Sequence, residues 1–383
     1  MTYVEVSPEI LRWAIDRSRR PVSAFEQKFP KLSAWLRGEA KPTLKQLESF
    51  ARSAHAPVGY FFLSQPPEEP LPLPDFRTIA GTQMSRPSAD LLETLYTCQL
   101  RQDWYRDFAR ANGEQPLNFV GSARLSDSVP DTAARIRHRL GFDLDRRRQM
   151  PTWTEALRQF LAQADEAGVL VMVSGVVGAN TRRVLDPGEF RGFTLADPLA
   201  PLIFINGADT KAAQMFTLAH ELAHVWLGRS ALSDAEAKSE PAQEVERWCN
   251  RVAAELLVPL EAFQSELRSG APWRDEARRL ARVFKVSTLV ILRRMFDARA
   301  LTHQQFEEAY RAESERLRPL AESTQEGGDF YATLGVRVGR RFARAVVASA
   351  LEGHTLFRDA YRLMGIKKES TFRTAAERLG FAF

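Results

Sequence analysis

Met215-Phe216-Thr217-Leu218-Ala219-His220-Glu221-Leu222-Ala223-His224-Val225-Trp226-Leu227-Gly228 is an apolar run interrupted by two histidines and a glutamate at fixed spacing. Its residues are mostly good helix formers, and Gly228 supplies the stop that a helix C-terminus favours. In a helix, the i, i+4 relation puts His220 and His224 on one face, one turn apart, where both imidazoles can ligate a single metal ion. Glu221 then sits beside the metal without having to bind it, which is the position of a general base acting on a nearby water. A helix that is apolar on most sides is expected to be buried, and burying two imidazoles and a carboxylate without partners is costly. A ligated metal removes that cost. The competing description is a solvated helix face, or a degenerate site that holds no metal.

A catalytic zinc site needs a third protein ligand and an open fourth position. Leu227 and Gly228 are followed by Arg229 and Ser230, so no third histidine extends the motif and the ligand must come from another element. The stretch Glu240–Leu257 reads as a helix with four carboxylates, among which periodicity does not choose. Glu246 and Asn250 share a face at i, i+4, which allows Asn250 to support a ligand from behind.

Outward from this stretch, Gly168 ends a helical pattern and Val169–Val173 reads as a buried strand. Phe190–Leu195 and Leu202–Ile205 are two further strand candidates, the second closed by Asn206-Gly207. Helices are expected over Ala89–Ala111, Thr132–Leu140 and Thr154–Ala167. A small sheet among many helices predicts an α+β fold, mostly helical. Gln65-Pro66-Pro67-Glu68-Glu69-Pro70-Leu71-Pro72-Leu73-Pro74 holds the chain extended and marks a linker. Arg274–Ala298 contains two amphipathic stretches around Ser287, a plausible N-cap, in a helix-turn-helix-like pair that is more often plain architecture than a DNA reader. Residues 319–328 are polar, and Phe330–Leu351 and Leu356–Met364 follow as basic helices. The resulting segments are 1–64, a linker at 65–88, 89–318 and a C-terminal helical region at 319–383.

The chain of 383 residues is 44% hydrophobic and 26% charged, the profile of a globular protein large enough for two or three domains. No apolar run of 18 residues occurs and the N-terminus lacks a signal-peptide pattern, so no membrane association is expected. Two distant cysteines, Cys98 and Cys249, form no disulfide framework, which suits the cytoplasm. Cys249 falls within the candidate ligand helix, where a buried small hydrophobe is the commoner role and a redox-sensitive thiol the rarer one. His55, His138, His303 and His354 stand alone and read as structural or surface residues, and no phosphate-binding glycine motif is present. The net charge of +5 is concentrated at the ends: residues 1–60 hold 10 Lys/Arg against 6 Asp/Glu, and residues 328–383 hold 10 against 5. Any nucleic-acid contact is therefore expected at the ends, with solvated helix faces the equally ordinary alternative.

The run Met215–His224, followed by Glu246-x-x-x-Asn250-x-x-Ala253-Ala254-x-Leu256-Leu257-x-Pro259, resembles the ImmA/IrrE family of bacterial and phage zinc metallopeptidases. Phe190-Arg191-Gly192-Phe193 and Leu202-Ile203-Phe204-Ile205-Asn206 are similar to the strands that precede the active helix in that family. The resemblance spans about residues 150–265 and implies a zincin-like domain, with Zn2+ held by His220, His224 and Glu246, Glu221 as catalytic base and Asn250 behind the ligands. Trp248-Cys249 departs from it, because members more often carry smaller or acidic residues there. It also implies cleavage of a regulatory protein. Leu11-Arg12-Trp13-Ala14, Leu32–Glu39 and Pro42–Leu47 resemble the Xre-class helix-turn-helix domain often fused to such peptidases. That likeness implies a DNA operator as partner, with Lys31, Ser33 and Arg37 as candidate contacts. The stretch between Arg17 and Phe29, which contains Pro21, is shorter than the usual second helix. The expected function is a zinc-dependent endopeptidase coupled to transcriptional regulation. The alternative is an antitoxin and autorepressor that neutralises a small PIN-like ribonuclease toxin by binding it. The basic C-terminal helices suit partner binding, homodimer formation or nucleic acid equally.

Overall fold

The computed structural model describes residues 2–74, 78–79, 82–83, 86–233, 243–268, 270–322 and 330–382. The chain forms two compact units, one of Met1–Pro72 with Ile79–Tyr96 and the other of Leu73–Thr78 with Thr97–Phe383.

The first unit contains α1 (Pro8–Arg17), α2 (Val22–Lys28), α3 (Leu32–Leu36), α4 (Leu44–Ser53) and a 3-10 turn, Val58–Phe62. Ser7 caps α1, whose Pro8 fits the first turn where no backbone donor is needed. Thr43 and Gln46 form a reciprocal capping box on α4. Pro21 stands at the N-cap of α2, which explains the shortness of that helix: the preceding Arg20 is steered away from helical angles. A core of Ile10, Trp13, Phe25, Trp35, Leu47 and Phe50 closes the bundle. Phe50 is its centre, with Phe25, Phe29 and Phe61 rings 5.4–5.7 Å away. Glu69, from the proline-rich segment, takes both Nε and Nη2 of Arg17, at 2.5 and 2.8 Å.

Two short strands, β1 (Thr78–Ile79) and β2 (Thr82–Gln83), precede the long helix α5 (Ala89–Ala111). The second unit continues with α6 (Val129–Leu140), α7 (Leu144–Gln149) and α8 (Trp153–Glu166). Its sheet comprises β3 (Leu170–Ser174), β4 (Gly192–Leu195), β5 (Leu202–Asn206) and β6 (Ala231–Ser233), in the order β3-β5-β4-β6. β3 runs parallel to β5, while β4 runs antiparallel to both β5 and β6. The helices that follow are α9 (Lys211–Leu227), α10 (Glu244–Leu257), α11 (Leu260–Glu266), α12 (Trp273–Phe284), α13 (Thr288–Asp297) and α14 (His303–Glu322). The chain closes with α15 (Phe330–Val338), α16 (Arg340–Leu351), α17 (Phe357–Met364) and α18 (Glu369–Arg378). Val171, Val173, Ile203 and Ile205 join Leu218, Leu222 and their neighbours on α9 in one hydrophobic core.

Several boundaries differ from the sequence reading. α6 begins at Val129, three residues early, because Ser128 caps it and Pro130 occupies its first turn. The expected helix Phe330–Leu351 is two helices, broken at Gly339, whose φ of 81° belongs to the left-handed region. A Cβ there would lie 2.9 Å from the Val171 carbonyl oxygen, so only glycine lets the turn press against β3. α14 runs to Glu322, past the expected boundary at 319, and residues 323–329 lie outside the described ones. Thr97–Phe383 belongs to one compact unit. β6, α7 and α18 were not anticipated. The pair α12 and α13 forms with Ser287 capping α13, as expected.

Candidate metal centre

α9 is placed by both of its ends. Thr210 caps the start by accepting from the Ala213 N–H, and Gly228, at φ 66°, turns the chain away at the finish. The last carbonyls are then taken by a neighbouring loop: Gly121 N–H donates to Val225 O at 3.1 Å and Ala123 N–H to Trp226 O at 2.8 Å. A Cβ on Gly228 would meet Gly121 Cα at 2.8 Å, so the approach needs glycine at that position. Phe119 stacks on Trp226 with centroids 4.4 Å apart. With both ends held, every residue from Gln214 to Trp226 is buried.

α10 packs along α9, and its C-terminal end is held by arginines from three other helices. Arg137 donates to Glu255 O at 2.8 Å, Arg147 to Leu257 O, and Arg294 to Val258 O at 2.7 Å. Guanidinium groups there satisfy carbonyls that the helix leaves over and complement its negative end. Burial pulls Arg147 down to about 9, with Arg137 and Arg148 adding repulsion.

This packing brings His220, His224 and Glu246 together. His220 Nε2 lies 3.1 Å from Glu246 Oε2, His224 Nε2 lies 3.0 Å from Glu246 Oε1, and the two Nε2 atoms are 3.1 Å apart. All three residues are buried, and their donor atoms lie within 4.8 Å of one another. Zinc bonds of about 2.0–2.2 Å in tetrahedral array imply donor separations of roughly 3.3 Å, which this cluster approaches. Two neutral imidazoles and a carboxylate are also the donor types that zinc takes, so the residues fit such an ion. Asn250 Oδ1 lies 2.9 Å from His220 Nδ1; with the amide oxygen accepting, the proton sits on Nδ1 and the Nε2 lone pair is left for a metal.

The other carboxylates on the ligand helix are elsewhere. Glu244 is exposed, Glu255 pairs with Arg294 at 2.5 Å, and Glu240 lies outside the described residues. Cys249 is fully buried, and burial, with the charges of Glu246 and Glu221, holds its thiol well above the usual range. It is a small apolar filler rather than a reactive thiolate.

Glu221 stands next to the cluster, fully buried, on an orientation that sequence reasoning did not foresee. Thr194, from β4, donates its hydroxyl to Glu221 Oε2 at 2.7 Å. Oε1 has no hydrogen-bond partner among the described residues. Gly192, one pleat before Thr194, makes room for it: a Cβ there would lie 2.6 Å from Thr217 Cγ2 and 3.2 Å from Glu221 Oε1. Opposite Gly192 in the sheet register stands Ser233, whose buried hydroxyl also lacks a partner among the described residues. Neither residue type announces such a role; only the register of β4 against β5 and β6 does.

The charges are coupled. Burial pushes the Glu221 carboxyl up, opposed by His220, His224 and the Thr194 bond. Burial also acts against ionisation of Glu246, yet the two histidines outweigh it and hold this carboxyl well below the usual range. Burial alone would lower His220, but the Glu246 charge and hydrogen bond, with smaller help from Glu221 and Asn250, raise it. The site thus contains one carboxylate, Glu246, whose ionised form its neighbours favour, and one, Glu221, whose proton affinity burial raises.

The candidate DNA contacts occupy a different setting. Lys31 is exposed at the N-cap of α3, a helix of five residues. Ser33 donates to Glu26 at 3.0 Å, and Arg37 pairs with Glu39 at 2.7 and 2.8 Å.

Residues 164–296 match the family model of the IrrE N-terminal-like domain, a peptidase family, and this span holds the sheet, α9 and α10. Residues 338–378 match a domain of unknown function (DUF8813), which takes in α16, α17 and α18. No curated protein matches the chain. The match supports a metallopeptidase-like domain for the middle of the chain. Among the described residues no helix is long and apolar enough to cross a membrane.

Proposed function

We propose that the protein is a zinc-dependent endopeptidase that regulates transcription by cleaving a regulatory protein. The observation that carries this reading is the convergence of His220, His224 and Glu246 in a buried cluster, with a second carboxylate, Glu221, beside it whose Oε1 has no partner among the described residues. A zinc ion bound by those three residues supplies Lewis-acid polarisation of a peptide carbonyl and lowers the pKa of water.

The chain's own residues do the rest. Asn250 orients the His220 ring and fixes its tautomer. Thr194 holds Glu221 Oε2, which leaves Oε1 as the atom that accepts a proton from the attacking water and returns it to the leaving amine. The raised proton affinity that burial gives this carboxyl suits both transfers. Residues 1–64 are proposed to place the peptidase at DNA. Their surplus of basic residues and their helical bundle favour this, though Ser33 and Arg37 would have to leave internal partners to read bases.

The test is incubation of the zinc-loaded protein with extract of its own host, followed by sequencing of new protein N-termini. The reading expects a small set of cleavages made by the wild type and absent with Glu221→Gln. Identical N-termini from both proteins would overturn it. Regulation that survives Glu221→Gln would point instead to action by binding alone.

A further inference from the structure

A cavity of about 830 Å3 opens in the second unit between α8, β3 and the C-terminal helices, and the site of His220 and Glu246 does not contribute to it. Its apolar lining comes from Leu161, Val171, Val173, Leu334, Met364 and Ala375. Among the described residues its charged lining comes from Arg158, Arg340, Arg341, Arg344 and Arg378, against Asp165 and Glu166. Ligand sites of about 300–1,000 Å3 that are mostly apolar with a few placed polar groups are the usual form of small-molecule pockets.

We infer that this cavity binds an amphipathic organic anion: a single carboxylate, sulfonate or phosphate head on an apolar body the length of a medium acyl chain.

Of the five arginines four already have partners, Arg378 among them, and Arg340 makes no hydrogen bond or ion pair among the described residues. Arg341 spends its side chain on the Tyr105 hydroxyl at 2.7 Å and on Glu114 at 3.3 Å. Arg344 donates to the Leu379 carbonyl and lies over the Phe381 ring, and Arg158 pairs with Glu155. Arg340 is exposed. It stands at the first position of α16, a helix of 12 residues whose N-cap, Gly339, offers no side-chain cap. The positive end of that helix faces the same cavity wall, where Asp165 accepts from the Arg341 N–H at 3.1 and 3.2 Å. Asp165 thus occupies the backbone donor at this end of the helix, and the incoming anion is assigned to the Arg340 side chain beside it. Burial pushes Asp165 up to about 6, against the Arg341 backbone bond and the charges of Arg341 and Arg340, with Glu166 adding to the rise. An inorganic anion is not the preferred occupant, because it would leave the half-buried Leu161 and the exposed Val336 at the lining uncovered.

The test uses the full-length, zinc-loaded protein titrated with 8-anilinonaphthalene-1-sulfonate, followed by displacement with dodecanoate and, separately, with dodecyltrimethylammonium. Saturable binding of one dye per chain is expected, with dodecanoate displacing it at concentrations at least about ten-fold lower than the cation does. Arg340→Glu is expected to weaken dodecanoate about ten-fold or more, as loss of one charge-assisted contact and its reversal should. Ala162→Trp, at the cavity lining, should weaken both ligands by filling space; unchanged thermal melting of each variant shows that the fold is intact. Equal displacement by the cationic amphiphile, unchanged affinity in a folded Arg340→Glu protein, or no saturable binding would each overturn the inference. None of these readouts depends on peptidase activity.

Discussion

Helices α9 and α3 each carry residues that the sequence marks as functional, and the two place them in opposite surroundings. His220, Glu221 and His224 are fully buried, whereas Lys31 and Arg37 are exposed and Ser33 is half-buried. Burial forces an account of every polar atom: each must find a partner or cost a few kcal/mol, so few readings of α9 survive. On α3, water is a sufficient partner for every charge, so the same residues fit a DNA reader or an ordinary surface. A buried polar constellation constrains function in a way that an exposed one does not.

The contrast can be broken or sharpened by substitution, in order of expected effect. Glu221→Gln should lower hydrolysis by about 10²–10⁴ or more while zinc content stays at the wild-type level, read from cleavage rate and elemental analysis together. A variant that cleaves normally would remove Glu221 from the chemistry. Asn250→Ala should weaken zinc affinity about 10–100-fold in a competition with a chromogenic chelator, because the His220 ring loses its orienting acceptor. Unchanged affinity would reduce Asn250 to packing.

Gly192→Ala should cost about 1–3 kcal/mol in denaturant unfolding, since the new methyl group meets Thr217 Cγ2, Phe204 O and Glu221 Oε1 together. Stability equal to wild type would mean that β4 and α9 separate easily. At the small end, Arg37→Ala should change stability by no more than about 0.5 kcal/mol, because its pair with Glu39 is exposed on both sides. A loss of DNA affinity in that variant, without loss of stability, would give α3 a function that its structure alone does not.

What could be read from the sequence follows the same division. α5 spans the residues expected from its apolar pattern, and α9 ends at Gly228, where a strong signal and a required conformation coincide. The strand cores at 170–174 and 202–206 were legible from continuous apolar runs that only burial on both faces sustains. β6 was not, because three residues carry no period. α7 reads Leu-Asp-Arg-Arg-Arg-Gln and looks like a solvated turn, yet Arg147 is buried to hold the end of α10. Its role exists only through a partner 110 positions away. The break at Gly339 is likewise set by the approach of β3, not by anything local to a basic helix.

At the candidate site, spacing on one helix singled out His220, Glu221 and His224. Periodicity left the carboxylates of the next helix equivalent, and tertiary packing separates them: Glu246 meets the histidines, Glu255 meets Arg294, and Glu244 meets solvent. Thr194 and Gly192 act on Glu221 through sheet register, which no single-sequence period reports.

The most direct test is the zinc-to-protein ratio of the purified, folded chain after mild dialysis, measured beside His224→Ala and Glu246→Ala. The account predicts about one zinc per wild-type chain and loss of it in both variants, with circular dichroism showing that the helices persist. A folded wild type that takes up no zinc when supplied with it, or full zinc retention in both variants, would contradict the account.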